Sequence, residues 1–384
     1  MKRILFIAES GPVPAIDGKR QRTNALLSAL IRNYQVDYLI INNKHDFEQA
    51  IVGYTDQSVT FHYVAASETN WTLLLKKFGI LFYSHPDVKA YLTNLLLNPY
   101  SFVFTRYVRP VIEIPDRVNV VGDIDDDFIE VFTTRIQQEK SWIRKFRLRQ
   151  MLFMNRIIYN SMISRLALAI FVKEETDHTN SLTLPNLPFQ LLSQDRHPFE
   201  ACTTRGILFI GKLSYRPNLE GILWFLVNVW PLLMTKIPEI TLTIVSNVEE
   251  EDNGLQEILK NNSSITLLIN QDDLLPVYHR HSVIIAPIFQ GGGSSIKVAE
   301  ALLMGRPVVT NSFGSRGFES AHERSFLFVE DDFAGFSDAI VSLLQRSSLI
   351  DLQSDIFDWA AGHFSVIEWQ TKLLRGIEMA NRKS

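Results

Sequence analysis

The sequence predicts an α/β protein built from two doubly wound domains, and three observations lead to this prediction. The chain has 384 residues, more than a single domain usually contains. Short continuous apolar segments alternate with longer segments of helical period, as expected for buried parallel strands whose sheet is covered by helices on both faces. A proline-containing break interrupts this alternation once, near the middle of the chain.

The first half of the chain contains the first series of strands and helices. We predict strands over residues 3–8, 36–41, 59–64, 102–104, 118–121 and 167–172. The clearest helix covers residues 23–33. The apolar run that begins at Ile4 stops at Glu9, too early for the core of a signal peptide, so we assign it to the first strand. These segments define an N-terminal domain over residues 1–184.

The second half repeats the pattern after a predicted linker at residues 185–205, which contains three prolines. We predict strands over residues 206–210, 240–245, 265–268, 283–286, 307–310 and 326–329, and helices over 219–230, 295–304, 331–346 and 349–364. The C-terminal domain therefore spans residues 206–365, and a final amphipathic segment spans 366–384. Two such domains joined by one linker predict a ligand cleft between them, at the carboxyl ends of the strands.

The composition narrows the class of protein. A formal net charge of −4 argues against a dedicated nucleic-acid binder. Cys202 is the single cysteine, so neither an intramolecular disulfide nor a cysteine-based zinc site can form, and a reducing cytoplasmic compartment is expected. No uncharged apolar run reaches the ~18–20 residues of a membrane span, which leaves peripheral association with a membrane open.

The strongest local signal is a glycine-rich turn between a predicted strand and a predicted helix, within residues 286–309. The turn and the start of the helix contain Gly291, Gly292, Gly293, Ser294 and Ser295. Glycines let the backbone approach a ligand closely, and the free amides of a helix start suit a phosphate group. Lys297 lies in the first helical turn, and Glu300, one turn further, can accept two hydrogen bonds from a ribose diol. The run therefore predicts a nucleotide-binding site.

This run resembles the nucleotide-sugar signature of glycosyltransferase family four, whose members have the GT-B fold. Glu300 matches the second glutamate of that signature, the ribose ligand, whereas Gly292 stands where a first glutamate is common. The run is similar instead to the subgroup with three glycines and a basic residue before the glutamate. The resemblance implies two Rossmann-like domains facing across a cleft. It also implies sugar transfer with retention from a nucleotide-activated donor, with no metal or other cofactor.

A second segment, residues 209–218, resembles the loop after the first strand of the family's C-terminal domain. The donor-binding candidates that it contributes are Gly211, Lys212 and Arg216. The family's basic residue after the glycine holds the donor diphosphate, and Lys212 occupies that place, which also makes it a catalytic candidate. Asn218 stands where a second lysine is usual, so we expect Arg216 or Lys297 to substitute for that lysine.

Two further segments agree with the resemblance. Residues 11–20 resemble the family's first loop, which faces the donor phosphates, with Gly18 where the backbone comes near them. Residues 366–384 resemble the helix that crosses back to pack on the first domain. The resemblance therefore extends over both halves of the chain.

An acidic segment, residues 122–128, follows a predicted strand and contains an Asp-x-Asp pair. If it lies at the cleft, Asp123 or Asp125 can act as a base toward the acceptor hydroxyl. Two alternatives stay open. Such a pair binds a divalent metal in the other large glycosyltransferase fold, and acids at a helix N-terminus can simply cap the helix.

A basic segment, residues 140–173, carries eight lysines and arginines and no acid, interleaved with aromatic and aliphatic residues. The patch that we assign to an anionic membrane surface or acceptor consists of Arg144, Lys145, Arg147 and Arg149. The alternative is an ordinary helix that buries its apolar side and exposes its cations to solvent.

The sequence thus predicts a cytoplasmic glycosyltransferase and leaves peripheral association with the inner face of the membrane open. Its partners would be a nucleotide-diphosphate sugar and a glycan or lipid-linked glycan, in surface polysaccharide assembly. Two alternatives are a nucleotide-sugar 2-epimerase of the same fold and a catalytically silent sugar-nucleotide-binding protein.

Overall fold

The computed structural model describes residues 1–13, 18–125, 128–172, 180–192, 198–246, 253–271, 273–290 and 295–383. The chain divides into two compact units. One is Met1–Gln190 together with Val366–Ser384, and the other is Leu191–Ser365. Each unit contains its own parallel sheet.

The sheet of the N-terminal unit has seven strands among the described residues. They are β1 (Lys2–Ala8), β2 (Tyr34–Ile41), β3 (Val59–Val64), β4 (Val103–Arg106), β5 (Val120–Ile124), β6 (Leu168–Phe171) and β7 (Ser181–Thr183). All are parallel, in the order β3-β2-β1-β4-β5-β6-β7. Phe6 in central β1 stacks on Tyr38 of β2 and Phe104 of β4, with ring centroids 4.7 and 5.0 Å apart. This strand order, reversing between β1 and β4, is that of doubly wound nucleotide-binding sheets.

Helices lie between these strands and after the last of them. They are α1 (Gly18–Leu30), α2 (Lys44–Gly53), α3 (Asn70–Lys77), α4 (Pro86–Leu95), α5 (Phe128–Gln138), α6 (Trp142–Ser164) and α7 (Phe189–Leu192), with a 3-10 turn at Arg109–Glu113. The side chains of Asn43 and Thr69 cap α2 and α3 by accepting hydrogen bonds from backbone amides of the first turn. Such caps fix where a helix begins.

The C-terminal unit has a parallel sheet of six strands among its described residues. They are β8 (Gly206–Ile210), β9 (Thr241–Ser246), β10 (Ile265–Ile269), β11 (Val283–Ala286), β12 (Val308–Thr310) and β13 (Leu327–Val329). Their order is β10-β9-β8-β11-β12-β13, the same winding as in the first unit. The helices are α8 (Arg216–Trp224), α9 (Trp230–Lys236), α10 (Asn253–Asn261), α11 (Leu275–His279), α12 (Ile296–Leu303), α13 (Glu319–Glu323), α14 (Phe333–Leu344) and α15 (Leu349–His363).

A π-helical turn, Phe225–Val229, joins α8 to α9 into one continuous helix, Arg216–Lys236. Pro231 lacks an amide hydrogen and its ring crowds the preceding turn, which accounts for the wider turn at this point. Among the described residues, this helix is long and apolar enough to cross a membrane by length and composition. Its Phe225 and Leu233 are fully buried in the C-terminal unit, as in the core helix of a folded domain.

The last helix, α16 (Val366–Lys383), belongs to the N-terminal unit, where it contacts α1 and β6. The Trp369 indole Nε1 donates to the carbonyl oxygen of Pro185 at 2.7 Å. The Asn119 Nδ2 donates to Oδ1 of Asn381 at 2.7 Å. The final segment therefore returns to the first unit. The α/β fold class with two doubly wound sheets and a returning helix is confirmed.

Candidate active site

A polar cluster lies at the carboxyl end of β8. Gly211 follows β8 directly, while Asn218 lies in α8 and Lys297 in the first turn of α12. The Asn218 Nδ2 donates to the carbonyl oxygen of Lys212 at 3.0 Å, and the Asn218 Oδ1 accepts from Lys297 Nζ at 2.7 Å. A methyl group on Gly211 would lie 2.8 Å from Asn218 Cγ and 3.0 Å from Lys297 Nζ. The absence of a side chain at Gly211 therefore lets these two polar groups meet beside the strand end.

Lys297 is a partly buried cation in this cluster. Its Nζ lies 5.0 Å from the centroid of the Phe209 ring. Burial lowers the pKa of Lys297 to about 8, although the Glu300 carboxylate acts in the opposite direction. Lys297 is therefore still mostly protonated at pH 7, and its ammonium group is poorly hydrated. Such a group gains more than an exposed lysine when an anion arrives.

Glu300 is a buried carboxylate one turn further along α12, only 6% exposed. The Tyr278 hydroxyl donates to Glu300 Oε2 at 3.2 Å. Burial, reinforced by the charge of Glu300, raises the pKa of Tyr278 well above its usual range, so the phenol stays a neutral donor. A carboxylate accepts about four hydrogen bonds, so Glu300 can also accept from the hydroxyl groups of a ligand.

The two other basic candidates differ in their surroundings. Lys212 is exposed and forms no ion pair with an acid in the part of the chain that the structure describes. Arg216 forms an ion pair with Glu220, one turn along α8, and Glu220 also accepts a hydrogen bond from the Gln290 side chain. The structure thus places Lys297 beside Asn218, the residue at the family's second-lysine position. Arg216 is instead paired with an acid of its own helix, α8.

The predicted phosphate-binding loop falls largely outside the described residues, which omit Gly291, Gly292, Gly293 and Ser294. Ser295 is described: it is the N-cap residue of α12, and its carbonyl oxygen accepts from the Val298 amide at 3.1 Å. Phosphate binding by the loop amides stays a prediction.

The end of the glycine-rich run has a structural role. Gly305 closes α12 with a φ of +68°, in the left-handed region that glycine adopts readily, and a methyl group there would lie 2.7 Å from the Gln353 carbonyl oxygen. Arg306 is fully buried and donates to the carbonyl oxygens of Tyr278 at 3.0 Å and Glu200 at 2.7 Å. The Arg306 guanidinium group therefore holds the backbone at Tyr278, whose phenol donates to Glu300.

Asp123, predicted as a base, lies instead inside a buried ion-pair network of the N-terminal unit. It has no exposed surface, and it accepts hydrogen bonds from Arg22 Nη2 at 2.6 Å and from Arg106 Nη1 at 2.7 Å. Arg22 also donates to the carbonyl oxygen of Leu184 at 2.9 Å. A carboxylate enclosed by two guanidinium groups is out of reach of an acceptor hydroxyl. The geometry corrects the prediction: Asp123 links α1, β4 and β5.

Asp125 belongs to the same network, since Arg106 Nη2 donates to its Oδ2 at 2.7 Å. Burial raises the pKa of Asp125, but Arg106 and Arg22 outweigh burial and hold that pKa below its usual range. A carboxylate of lowered pKa is a weak base, which argues against the role predicted for it. No group of three or more histidine, cysteine, aspartate or glutamate side chains suited to a metal ion occurs among the described residues.

The remaining candidates lie in the N-terminal unit. Gly18 is the first residue of α1, and residues 14–17 before it fall outside the described part of the chain. The predicted basic patch lies in the N-terminal half of α6, where Arg144, Arg147 and Arg149 are exposed and Lys145 is partly buried.

Comparison with known proteins bears on both units. Residues 204–346, which contain the whole polar cluster, match the family model "Glycosyl transferases group 1". The fold of the entire chain is similar to that of sucrose-phosphate synthase from Thermosynechococcus elongatus, with a TM-score of 0.69, 12% identity and full coverage of both chains. The fold of the protein is therefore the GT-B fold, and residues 204–346 are similar to the group 1 glycosyl transferases.

Two other solved structures similar to this protein contain nucleotides. The pneumococcal O-GlcNAc transferase GtfA, in complex with UDP and GlcNAc, has a TM-score of 0.66 and 14% identity, with 99% of each chain covered. Anabaena HepE, in complex with UDP and glucose, has a TM-score of 0.65 and 12% identity, covering 98% of this chain and 100% of its own. At these identities the likeness shows the fold alone.

A sequence relative of this protein occurs in Klebsiella pneumoniae. It is an uncharacterized 44.6 kDa protein in the cps region, 25% identical over 356 residues, which cover 86% of this chain and 88% of the relative. The match covers most of both chains, so the similarity extends over both units.

Sequence reasoning missed three residues of the candidate site: Asn218 as the link between two cationic segments, Tyr278 as the donor to Glu300, and Arg306 as the support of Tyr278. Asn218 was seen only as a missing lysine. The one signal for it was Gly211, because a glycine between a strand and a polar loop indicates a close approach.

Proposed function

We propose that the protein transfers a sugar from a nucleoside-diphosphate sugar to a glycan or lipid-linked glycan, with retention at the anomeric carbon and without a metal. The observation that supports this proposal best is the polar cluster of Lys297, Asn218 and Glu300 within the segment that matches the family model. It offers a cation for a diphosphate and a carboxylate for a ribose, one helical turn apart.

In this proposal Glu300 accepts hydrogen bonds from the two ribose hydroxyls, and Lys297 and Lys212 face the diphosphate. The leaving nucleoside diphosphate gains negative charge as the glycosidic bond to it breaks. Cations fixed near that charge stabilise the transition state more than the bound donor, which raises kcat. Uridine nucleotides are the first donors to test, because both GtfA and HepE were solved with UDP.

The biological setting that we propose is the assembly of a surface polysaccharide, in the cytoplasm at the inner face of the membrane. The relative in the cps region of Klebsiella pneumoniae supports this setting. The N-terminal unit would receive the acceptor, as the resemblance to family four implies.

The proposal is tested by measuring nucleoside-diphosphate release from UDP-glucose, UDP-N-acetylglucosamine and GDP-mannose, with and without a membrane lipid extract of Klebsiella pneumoniae. We expect one donor to release its nucleotide faster when the extract is present, with radiolabelled sugar moving into the lipid fraction. Epimerised sugar formed without an acceptor, or donor binding without any release, would contradict the proposal.

Two lysine variants connect this assay to the site. Lys212→Ala should lower kcat by about tenfold or more and change the donor KM less, because the contact tightens as charge develops. Lys260→Ala, which removes an exposed lysine of α10 in the same unit, should leave both constants unchanged. Equal activity of the two variants would return Lys212 to the class of ordinary surface lysines.

A further inference from the structure

One face of α6 exposes large apolar side chains to solvent. Trp142, Phe146, Phe153 and Ile157 are 78%, 58%, 72% and 66% exposed. At 3.6 residues per turn these four side chains fall within about 60° of one another around the helix axis. They form a stripe along a helix of 23 residues, about 35 Å long. We call these four residues the α6 stripe.

The α6 stripe is distinct from the face of α6 that packs on the protein. That face is formed in the C-terminal half of the helix by Asn155, Tyr159, Met162 and Ile163, all buried. By helical periodicity this buried face is turned about 90° to 180° away from the stripe around the helix axis. The ordinary solvated helix that the sequence left open would expose polar residues here. It does not account for four exposed large apolar side chains aligned on one side.

Cations border the stripe. Arg149 and Arg156 are exposed, and Lys145 is partly buried. Around the helix axis all three lie on the same side of the stripe, within about 100° of its centre. Arg147 lies on the other side, whereas Arg144 lies nearly opposite. No acidic residue occurs anywhere in α6. The predicted basic patch therefore divides between faces, and only part of it accompanies the stripe.

We propose that the α6 stripe and its bordering cations bind the surface of an anionic lipid bilayer, with the helix lying parallel to the membrane. Aromatic and aliphatic side chains beside lysine and arginine are the composition of an interfacial helix. A second copy of the chain is disfavoured as the occupant, because a twofold contact across this face would bring the same cations together. Acidic lipid headgroups supply the opposite charge, each nearby cation strengthening binding about fivefold.

This inference deepens the proposed function by naming the surface that meets the membrane, but it is tested without donor or acceptor. Purified protein is sedimented with vesicles of phosphatidylcholine mixed with phosphatidylglycerol, and with vesicles of phosphatidylcholine alone. We expect binding to the mixed vesicles, weakening as salt is added, and little binding to the neutral ones. Because no turnover is measured, loss of transferase activity and loss of membrane binding are separate outcomes.

Matched variants assign the binding to the stripe. Phe146→Ser combined with Phe153→Ser should weaken vesicle binding at least about tenfold, because two aromatic side chains that the membrane would bury are lost. Trp71→Ser removes an equally exposed aromatic from α3 of the same unit, where Trp71 is 65% exposed, and should bind normally. Arg149→Gln should weaken binding more than Arg144→Gln. The proposal is overturned if the wild type does not sediment with mixed vesicles at low salt, or if Trp71→Ser weakens binding as much as the double variant.

Discussion

Lys297 shows how one residue combines a cost in stability with a chemical use. Burial disfavours its charged form, and the Asn218 amide oxygen, the Phe209 ring and the Glu300 carboxylate are neighbouring groups that offset burial. Asn218 therefore does more than replace a lysine of the family pattern. It accepts a hydrogen bond from a lysine that comes from another helix, and so keeps a cation at the end of β8.

The lowered pKa of Lys297, about 8, predicts a pH dependence of catalysis. The charge is present below pH 8 and is lost as the pH rises through 8, so kcat/KM for the donor should fall in that range. In Lys297→Arg the cation stays protonated, and the fall near pH 8 should disappear.

The measurement is kcat/KM from pH 6.5 to 9.5 for the wild type and for Lys297→Arg. A wild-type profile that is flat across pH 8, or an identical fall in both proteins, would show that Lys297 does not act on the donor. Lys297→Met is the complementary variant: it should have low activity at every pH of the series.

At the scale of elements, α8 and the loop after β11 are in unusually close contact. Gly221 lies in α8 with its Cα against the Pro287 backbone, and an added Cβ would be only 2.0 Å from the Pro287 carbonyl oxygen. The loop at Pro287 leads directly toward the glycine-rich run, while α8 carries Asn218. A single glycine thus fixes the distance between two elements that supply site residues.

Gly221→Ala should therefore lower the free energy of unfolding by about 1–3 kcal/mol, as overpacking usually does, although alanine is the better helix former. Gly362→Ala is the matched control. It changes a glycine of α15 whose Cβ would meet nothing within 4 Å, and it should raise stability by up to about 1 kcal/mol. Thermal unfolding of both variants distinguishes the two effects. Equal melting temperatures would contradict the close contact.

Most strands could be predicted because a buried parallel strand appears in the sequence as a continuous apolar run. The continuous apolar runs of β1 and β11 bound their elements to within a residue. β7, Ser181–Thr183, was missed because it has only three residues, none of them fully buried, and pairs with β6 alone among the described strands. The helices α2 to α5 have short or mixed apolar faces that gave no clear period.

The sequence predicted the site residues whose role follows from the run in which they lie. It did not predict contacts between groups that come from separate elements. Glu300 and Gly211 lie in recognisable runs, so their places were predicted. The Tyr278 hydroxyl reaches Glu300 from another helix, a contact that only the tertiary fold creates. Asp123 misled for the same reason: its sequence neighbours are acids, whereas its partners, Arg22 and Arg106, come from α1 and β4.

At the scale of the whole molecule, the two units have the same strand order, and the chain ends by returning to the first unit. The first unit carries the α6 stripe, and the second carries the polar cluster and the family match. The two proposals thereby assign donor binding and membrane binding to different units. Variants of one function should leave the other intact.

The central claim is that the C-terminal unit binds a nucleoside diphosphate through Glu300, and calorimetric titration with UDP, GDP and ADP tests it most directly. For the nucleotide that binds, Glu300→Gln should weaken the affinity at least about tenfold, because charge-assisted hydrogen bonds to the ribose are lost. Tyr278→Phe should weaken it only a few-fold, and Glu257→Gln, an exposed acid of α10, should not change it. Unchanged affinity in Glu300→Gln, with the melting temperature retained, would contradict the account.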